Sequence, residues 1–193
     1  MLPISAKTLH ALPLLFTALF LCLANAADLK LQKPPLSQPF NLATTGAYSF
    51  QTEIKDAYTY QLALSFSLHP FLDYKEIPPL LPLWNKKYEE TSEDSQKLYK
   101  LLGGGTAASQ WKQTGVPATF RVQILQHSSP IPLFDKAITN PETNAEYGGR
   151  YTYLFTDKLT PGRYSIHVQY LQGDPSLAPI HALLTFRKSP PPK

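Results

Sequence analysis

The chain has 193 residues with 18 basic and 14 acidic side chains, which gives a formal net charge of +4. A surplus this small, spread along the chain, is typical of a solvated surface and excludes the clustered Lys and Arg of a nucleic-acid-binding protein. The one cysteine, Cys22, lies in the N-terminal apolar segment, so we expect the mature chain to form no disulfide and to depend on packing for its stability.

The first 26 residues have the three parts of a secretory signal peptide. Lys7 supplies a positive charge, residues 9–23 are apolar, and Ala24-Asn25-Ala26 forms a small-residue cleavage site. The apolar run is shorter than the roughly 20 residues of a membrane-spanning helix. We therefore expect 1–26 to be removed, leaving a periplasmic or secreted protein without stable membrane insertion. Lipid attachment at Cys22 is the less favoured alternative, because the preceding Leu21 is larger than a lipobox requires.

The next segment, residues 27–46, is rich in proline and is predicted to be an extended lead-in without a regular hydrogen-bond ladder. A single domain is expected over 47–188, with an insertion at 69–116. Residues 189–193 are expected to form a disordered tail.

Seven strands are predicted from the alternation of apolar and polar side chains. The first two are joined by Lys55-Asp56-Ala57 and are expected to pair as a hairpin. The predicted strands are 48–54, 58–68, 119–126, 132–138, 150–156, 164–170 and 180–187.

The insertion breaks this alternation with several prolines. It then has helical character over 89–102, and Gly103 marks the end of the helix.

After the insertion, Tyr164 follows a Pro161-Gly162 turn, the position of the corner tyrosine in immunoglobulin-like sandwiches. The sequence thus predicts a mainly β fold. We expect an immunoglobulin-like antiparallel β-sandwich of about seven strands, with a proline-rich, partly helical insertion.

A family resemblance rests on four segments in this order: Pro39-Phe40, Tyr48-x-Phe50, Tyr60-x-Leu62-x-Leu64-x-Phe66 and Leu159-x-Pro161-Gly162-x-Tyr164. With its proline-rich lead-in, this pattern resembles a family of exported bacterial proteins of unknown function that form a small β-sandwich. The resemblance spans residues 39–187 and implies no catalytic residues. Some exported sandwiches of this size are immunity proteins that neutralise a toxin, and this analogy suggests one class of partner.

Four aromatic residues of the insertion are the candidate binding residues: Tyr74, Trp84, Tyr88 and Trp111. Tyrosine and tryptophan provide large contact areas at small entropic cost in binding surfaces. Long insertions on rigid scaffolds also often carry binding. The alternative is that these rings pin the insertion onto the sandwich, and Trp84, which follows three leucines, favours that interpretation.

Catalytic and metal-binding patterns are weak. The sequence has no G-x-S-x-G, H-E-x-x-H or phosphate-loop motif. His167 and His181 would lie diagonally on one face if the last two strands paired, but two ligands make a poor metal site. The acidic residues near 89–94 suit the first turn of a helix. We therefore expect no catalytic residues, metal or cofactor.

Three functions are considered. The first is a non-enzymatic exported protein that binds a protein partner through the insertion, and the second is a carbohydrate-binding module of the cell envelope. The third is an enzyme, which would require clustering of His69, His127, Asp73 or Glu76. The sequence favours the first.

Overall fold

Two antiparallel sheets pack face to face in the part of the chain that the computed structural model describes, residues 31–71, 92–103, 115–146 and 149–190. One sheet has the order β1-β9-β3-β7-β6 and the other β2-β8-β4-β5. The strands are β1 (Leu36–Phe40), β2 (Gly46–Ile54), β3 (Tyr58–Ser67), β4 (Ala118–Gln126), β5 (Phe134–Thr139), β6 (Asn144–Glu146), β7 (Gly149–Leu159), β8 (Gly162–Gly173) and β9 (His181–Lys188). Helix α1 spans Ser92–Leu102, and a short 3-10 helix, Pro175–Leu177, precedes β9.

The core follows from the alternation of side chains along each strand. On β4, Phe120, Val122 and Ile124 are fully buried, whereas Arg121 between them is exposed. Phe120 stacks on Tyr170 of β8 with 5.4 Å between ring centroids. The predicted mainly β sandwich is confirmed, and all seven predicted strands are present as β2 to β5 and β7 to β9.

The predicted hairpin between the first two of those strands is wrong. β2 pairs with β8, while β3 pairs with β7 and β9 in the other sheet. The turn at 55–57 therefore carries the chain from one sheet to the other. Alternation shows which side chains face the core, but two strands that face the same core can belong to either sheet.

The lead-in differs from its prediction because it contains strand β1. This strand pairs with β9, from Leu36 opposite Phe186 to Phe40 opposite Ala182. Pro39 is tolerated because β1 is an edge strand, where a missing N–H on the open side costs no ladder bond. The three-residue strand β6, at the opposite edge of the same sheet, was also not predicted.

The last strands also cross between the sheets. β8 lies in the four-stranded sheet and β9 in the five-stranded sheet, whereas the final two strands of a constant-type immunoglobulin domain are neighbours. The corner tyrosine is nevertheless confirmed. Tyr164 is fully buried, and its hydroxyl donates a hydrogen bond of 2.8 Å to the carbonyl of Thr160, in the connection between β7 and β8.

Replacing Tyr164 with phenylalanine is expected to lower the free energy of unfolding by about 1 kcal/mol, because it removes this hydrogen bond and leaves the ring packing intact. Urea denaturation of the purified protein measures the change. Tyr153→Phe is the control, since Tyr153 is only half-buried on β7, and we expect it to change the stability by less than about 0.5 kcal/mol. Equal stabilities of the Tyr164→Phe and Tyr153→Phe proteins would contradict a stabilising role for the hydrogen bond from Tyr164 to Thr160.

Helix α1 packs against the end of the sandwich where β7 begins. Leu98 and Leu102 are fully buried, and the buried guanidinium of Arg150 lies 3.6 Å from the centre of the Tyr99 ring. Gly103 follows the helix with a φ of 69°, the left-handed conformation common after a helix end, as predicted. Among the described residues, no helix is long and apolar enough to cross a membrane.

Candidate binding cleft

A cleft of about 500 Å³ opens at one end of the sandwich, where β1 ends and β2 and β9 begin. Its walls come from four stretches of the chain, 39–42, 48, 70–71 and 178–182. The lining residues are Pro39, Phe40, Asn41, Leu42, Tyr48, Pro70, Phe71, Ala178, Ile180, His181 and Ala182. We call this cavity the end cleft. Since the lining residues are far apart in sequence, only the folded domain forms it.

An aromatic pair forms one wall of the end cleft. The rings of Phe40 and Tyr48 stack with 4.0 Å between centroids. Phe40 also contacts two core rings, with centroid distances of 6.0 Å to Phe120 and 5.9 Å to Tyr170. This wall of the cleft is therefore continuous with the packed core, which limits its movement.

Hydrogen bonds fix the loop between β1 and β2 at the rim of the cleft. The backbone N–H of Asn41 donates to the Tyr48 hydroxyl at 2.7 Å, and the Asn41 side-chain oxygen accepts from the N–H of Ala43 at 2.8 Å. The Tyr170 hydroxyl donates to the carbonyl of Leu42 at 3.1 Å. Burial raises the pKa of Tyr170, so this hydroxyl stays protonated as a donor. The rim is thus formed before any ligand binds.

The chemistry of the cleft is mainly apolar. Among its lining residues, Asn41, Tyr48 and His181 have polar side chains. The amide nitrogen of Asn41 already donates to Thr44 at 3.1 Å, and the Tyr48 hydroxyl already accepts from the backbone. His181 is exposed and adds one polar group at the mouth. Such a cavity suits an apolar group with few hydrogen-bonding atoms.

The cleft adjoins the predicted insertion. Pro70 and Phe71 lie within 69–116 and line the cleft. The four predicted binding residues, Tyr74, Trp84, Tyr88 and Trp111, lie outside the described residues. The cleft does not follow from the sequence pattern, although one signal is present: two aromatic residues, Phe40 and Tyr48, flank a short loop that begins with asparagine.

The diagonal histidine pair, which the sequence already disfavours as a metal site, is not formed. His167 is on β8 and His181 on β9, which belong to different sheets. His167 Nδ1 instead lies 2.8 Å from Ser49 Oγ on the outer side of the four-stranded sheet. Burial lowers the pKa of His167, so the imidazole is neutral at neutral pH. In the described residues, no group of three or more His, Cys, Asp or Glu side chains is placed to hold a metal ion.

The residues considered for catalysis are separated where the structure describes them. His69 follows β3 and its Nε2 lies 3.4 Å from Asp94 Oδ2 of α1. His127 follows β4 at the opposite end of the sandwich, where its Nε2 lies 2.9 Å from Ser165 Oγ. Asp73 and Glu76 lie outside the described residues. The two histidines therefore do not share a site.

Comparison with solved structures supports the fold. A protein from Sulfurospirillum deleyianum has a crystal structure similar to 82% of this chain and 99% of that chain, with 15% sequence identity and a TM-score of 0.54. At that identity the similarity shows the fold alone.

Two mannanases are matched more weakly. A ruminal GH26 endo-β-1,4-mannanase has 9% identity and a TM-score of 0.36, over 85% of this chain and 28% of that chain. The GH26-CBM35 β-(1,4)-mannanase of Podospora anserina has 8% identity and a TM-score of 0.32, over 84% of this chain and 29% of that chain. These scores are too low to bear on function.

No curated protein matches the sequence. One family model matches the sequence over residues 37–188. This range includes every residue of the described strands except Leu36, the first residue of β1. The resemblance to a family of unknown function, stated from residues 39–187, is therefore confirmed.

Proposed function

The chain belongs to the family described as "Domain of unknown function (DUF5625)", and from that premise we propose that it is an exported, non-enzymatic binding protein. Its ligand is an apolar segment of a protein partner, which enters the end cleft. The observation that supports this function is the composition of the cleft, about 500 Å³ with mostly apolar walls and a rim fixed by hydrogen bonds.

Rigidity and apolar area both favour such binding. A preformed rim reduces the entropy lost when a partner is ordered on it. Burial of an apolar side chain contributes roughly 25 cal/mol per Å² of surface removed from water. The aromatic wall, Phe40 and Tyr48, and the lining residue Phe71 supply this surface. A leucine, valine or proline side chain of the partner matches these walls better than a polar group does.

A protein partner is favoured over a carbohydrate because of hydrogen bonding. A sugar ring carries several hydroxyl groups, and each one loses water when it is buried and needs a polar partner. Asn41 and Tyr48 already form hydrogen bonds within the rim, so His181 is the main polar side chain that the lining of the end cleft offers to a ligand. Carbohydrate binding is therefore the alternative outcome of a pull-down experiment. A toxin that this chain would neutralise as an immunity protein is one kind of protein partner compatible with the proposal.

Export is part of the proposal and is supported by the signal-peptide pattern of residues 1–26. Cleavage after Ala26 predicts that the isolated protein begins at Ala27. Mass spectrometry of the protein purified from its own envelope fraction measures that end directly.

The cleft is tested with Phe71→Asp, which places a charge on its apolar wall. We expect the variant to capture a specific envelope protein at least about tenfold less than the unaltered protein does, because an unpaired carboxylate opposes burial of an apolar group. Cross-linked pull-downs from envelope extract identify the captured protein, and titration with that protein, once purified, gives the dissociation constants.

The matched control is Ala137→Asp, which adds the same charge at an exposed position on β5, away from the cleft. It should bind as the unaltered protein does. Equal capture by the Phe71→Asp and Ala137→Asp proteins would overturn the cleft as the binding site. Retention of a cell-wall glycan in place of any protein would overturn the protein partner and favour carbohydrate binding.

A further inference from the structure

The loop between β4 and β5 exposes two large apolar side chains. Ile131 is 71% exposed and Leu133 is 53% exposed, the two highest values among the large apolar side chains of the described residues. We call residues 127–133 the tip loop. It lies at the opposite end of the sandwich from the end cleft, since β4 starts opposite Gly173 of β8 and runs for nine residues, about 25 Å, before the loop begins.

The tip loop holds these side chains outward by its own hydrogen bonds. The N–H of Ser129 donates to the carbonyl of Gln126 at 2.9 Å, and the N–H of Ile131 donates to Ser129 Oγ at 3.2 Å. The N–H of Leu133 donates to the carbonyl of Ile124 at 2.8 Å. Prolines at 130 and 132 restrict the backbone on both sides of Ile131. The exposure of the apolar pair is therefore a property of an ordered loop.

Basic side chains surround the same end of the sandwich. The N–H of His127 in the tip loop donates to the carbonyl of Arg163 at 2.9 Å, which places the start of β8 beside the loop. Lys55 lies in the turn after β2, and Lys158 is the next to last residue of β7. The basic residues at this end are Lys33, Lys55, Lys158, Arg163, Arg187 and Lys188, and the acidic ones are Glu53, Asp56, Asp135 and Asp157.

Six basic residues against four acidic ones leave this end positively charged. One of the acidic groups, Asp56, is already paired with Lys188 at 3.0 Å. Lys33, Lys55, Lys158 and Arg163 are exposed. A positive surface with an apolar pair at its tip complements an anionic bilayer, in which negative headgroups cover an apolar interior. The charge is spread across several strand ends, which suits an extended charged surface better than a single ion.

We propose that the tip loop docks on an anionic lipid bilayer. Ile131 and Leu133 enter the boundary between headgroups and acyl chains, while the surrounding lysines and arginines contact lipid phosphates. The contact is peripheral, because two side chains enter the interface and no segment crosses it. The end cleft then faces away from the bilayer, where it is open to a partner. The proposal uses none of the residues of the cleft and stands independently of the proposed function.

The test is sedimentation of the exported protein with vesicles, using the protein as isolated and with its N-terminus determined by mass spectrometry. One set of vesicles contains equal parts of phosphatidylglycerol and phosphatidylethanolamine, and the other contains phosphatidylcholine alone. The tip variant carries Ile131→Ser and Leu133→Ser. The control is Leu171→Ser, which removes an exposed apolar side chain of similar size, 46% exposed, near the end of β8. Thermal unfolding confirms that all three proteins are equally folded.

We expect the protein to bind the anionic vesicles. Its partition coefficient should be at least about tenfold lower on phosphatidylcholine vesicles. It should also be at least about tenfold lower on the anionic vesicles in high salt, because salt screens the basic side chains. The partition coefficient of the tip variant on anionic vesicles should be at least about tenfold lower than that of the unaltered protein, whereas that of Leu171→Ser should not change. A second variant, Lys55→Glu with Arg163→Glu, should lose binding to the anionic vesicles, while its weaker binding to phosphatidylcholine vesicles should not change. Equal binding by the tip variant and the unaltered protein, or no binding to either vesicle, would overturn the proposal. Loss of a co-purifying protein from the tip variant, without any vesicle binding, would assign the loop to a protein contact instead.

Discussion

Replacing Phe120 with alanine is expected to lower the free energy of unfolding by about 3 to 5 kcal/mol. Phe120 is fully buried in the middle of the sandwich, where its ring lies 5.4 Å from that of Tyr170 and 6.0 Å from that of Phe40. Truncation removes the buried area of one ring and leaves a cavity that its neighbours fill only in part. Because those two neighbouring rings also support the end cleft, we expect the substitution to weaken partner binding as well.

Urea denaturation measures this effect, and Phe120→Leu is the control. Leucine fills most of the same space, so we expect a loss of about 1 kcal/mol. A loss of stability from alanine as small as that from leucine would show that the neighbouring side chains close the cavity. That result would contradict tight packing around Phe120. Amide hydrogen exchange then shows whether the loop between β1 and β2 loses protection, as the connection from Phe120 through Tyr170 predicts.

Replacing Gly173 with alanine is expected to destabilise the protein by about 2 to 3 kcal/mol. A Cβ at this position would lie 2.6 Å from Tyr170 Cζ and would overlap the Tyr170 hydroxyl. The ring cannot move aside cheaply, since it is buried against Phe40 and Phe120 and its hydroxyl donates to the carbonyl of Leu42. The extra methyl group therefore displaces the ring or the backbone, and the hydrogen bond at the cleft rim is lost.

The matched control for this prediction is Gly46→Ala. A Cβ at Gly46 would meet only ordinary contacts, 3.8 Å from Tyr48 Cε2 and 4.0 Å from its hydroxyl. We expect this variant to differ from the unaltered protein by less than about 0.5 kcal/mol in thermal or urea unfolding. A Gly173→Ala protein as stable as Gly46→Ala would mean that the ring of Tyr170 is free to move, and would remove the argument for a rigid cleft rim.

Several local features of the fold could be predicted from the sequence. The alternating residues of β4, with Phe120, Val122 and Ile124 buried and Arg121 exposed, identify both a strand and its inner face. The corner tyrosine, Tyr164, was recognised from the turn that precedes it, and its hydrogen bond to Thr160 is present. Gly103 was recognised as the end of the helix. Each of these signals depends on residues that are neighbours in the chain.

Arg150 shows a limit of that approach. Its sequence context predicts the start of a strand, where a charged side chain is usually exposed. In the structure its guanidinium is buried, stacks on Tyr99 and donates to Ser95 Oγ at 2.9 Å. A helix 50 residues earlier in the chain supplies both partners. No pattern around Arg150 itself indicates that this helix will cover it.

The end cleft shows the same limit for the candidate site. Phe40, Phe71 and His181 meet there because β1 joins the edge of β9, which itself lies beside β3. Local pattern predicted none of these pairings, and its one predicted hairpin, β2 with β3, is wrong. The predicted aromatic residues of the insertion stay a prediction, since they lie outside the described residues.

The sequence by itself determined seven of the nine described strands, which of their faces turn inward, where a corner tyrosine closes a connection and where the helix ends. Only the tertiary structure decided which sheet each strand joins, that the proline-rich lead-in supplies an edge strand, and that a cleft and an apolar tip lie at opposite ends of the sandwich. The physical reason is that alternation and capping act between residues close in the chain. Strand pairing and cavity formation, in contrast, depend on contacts between distant residues, which many arrangements of the same strands would satisfy locally.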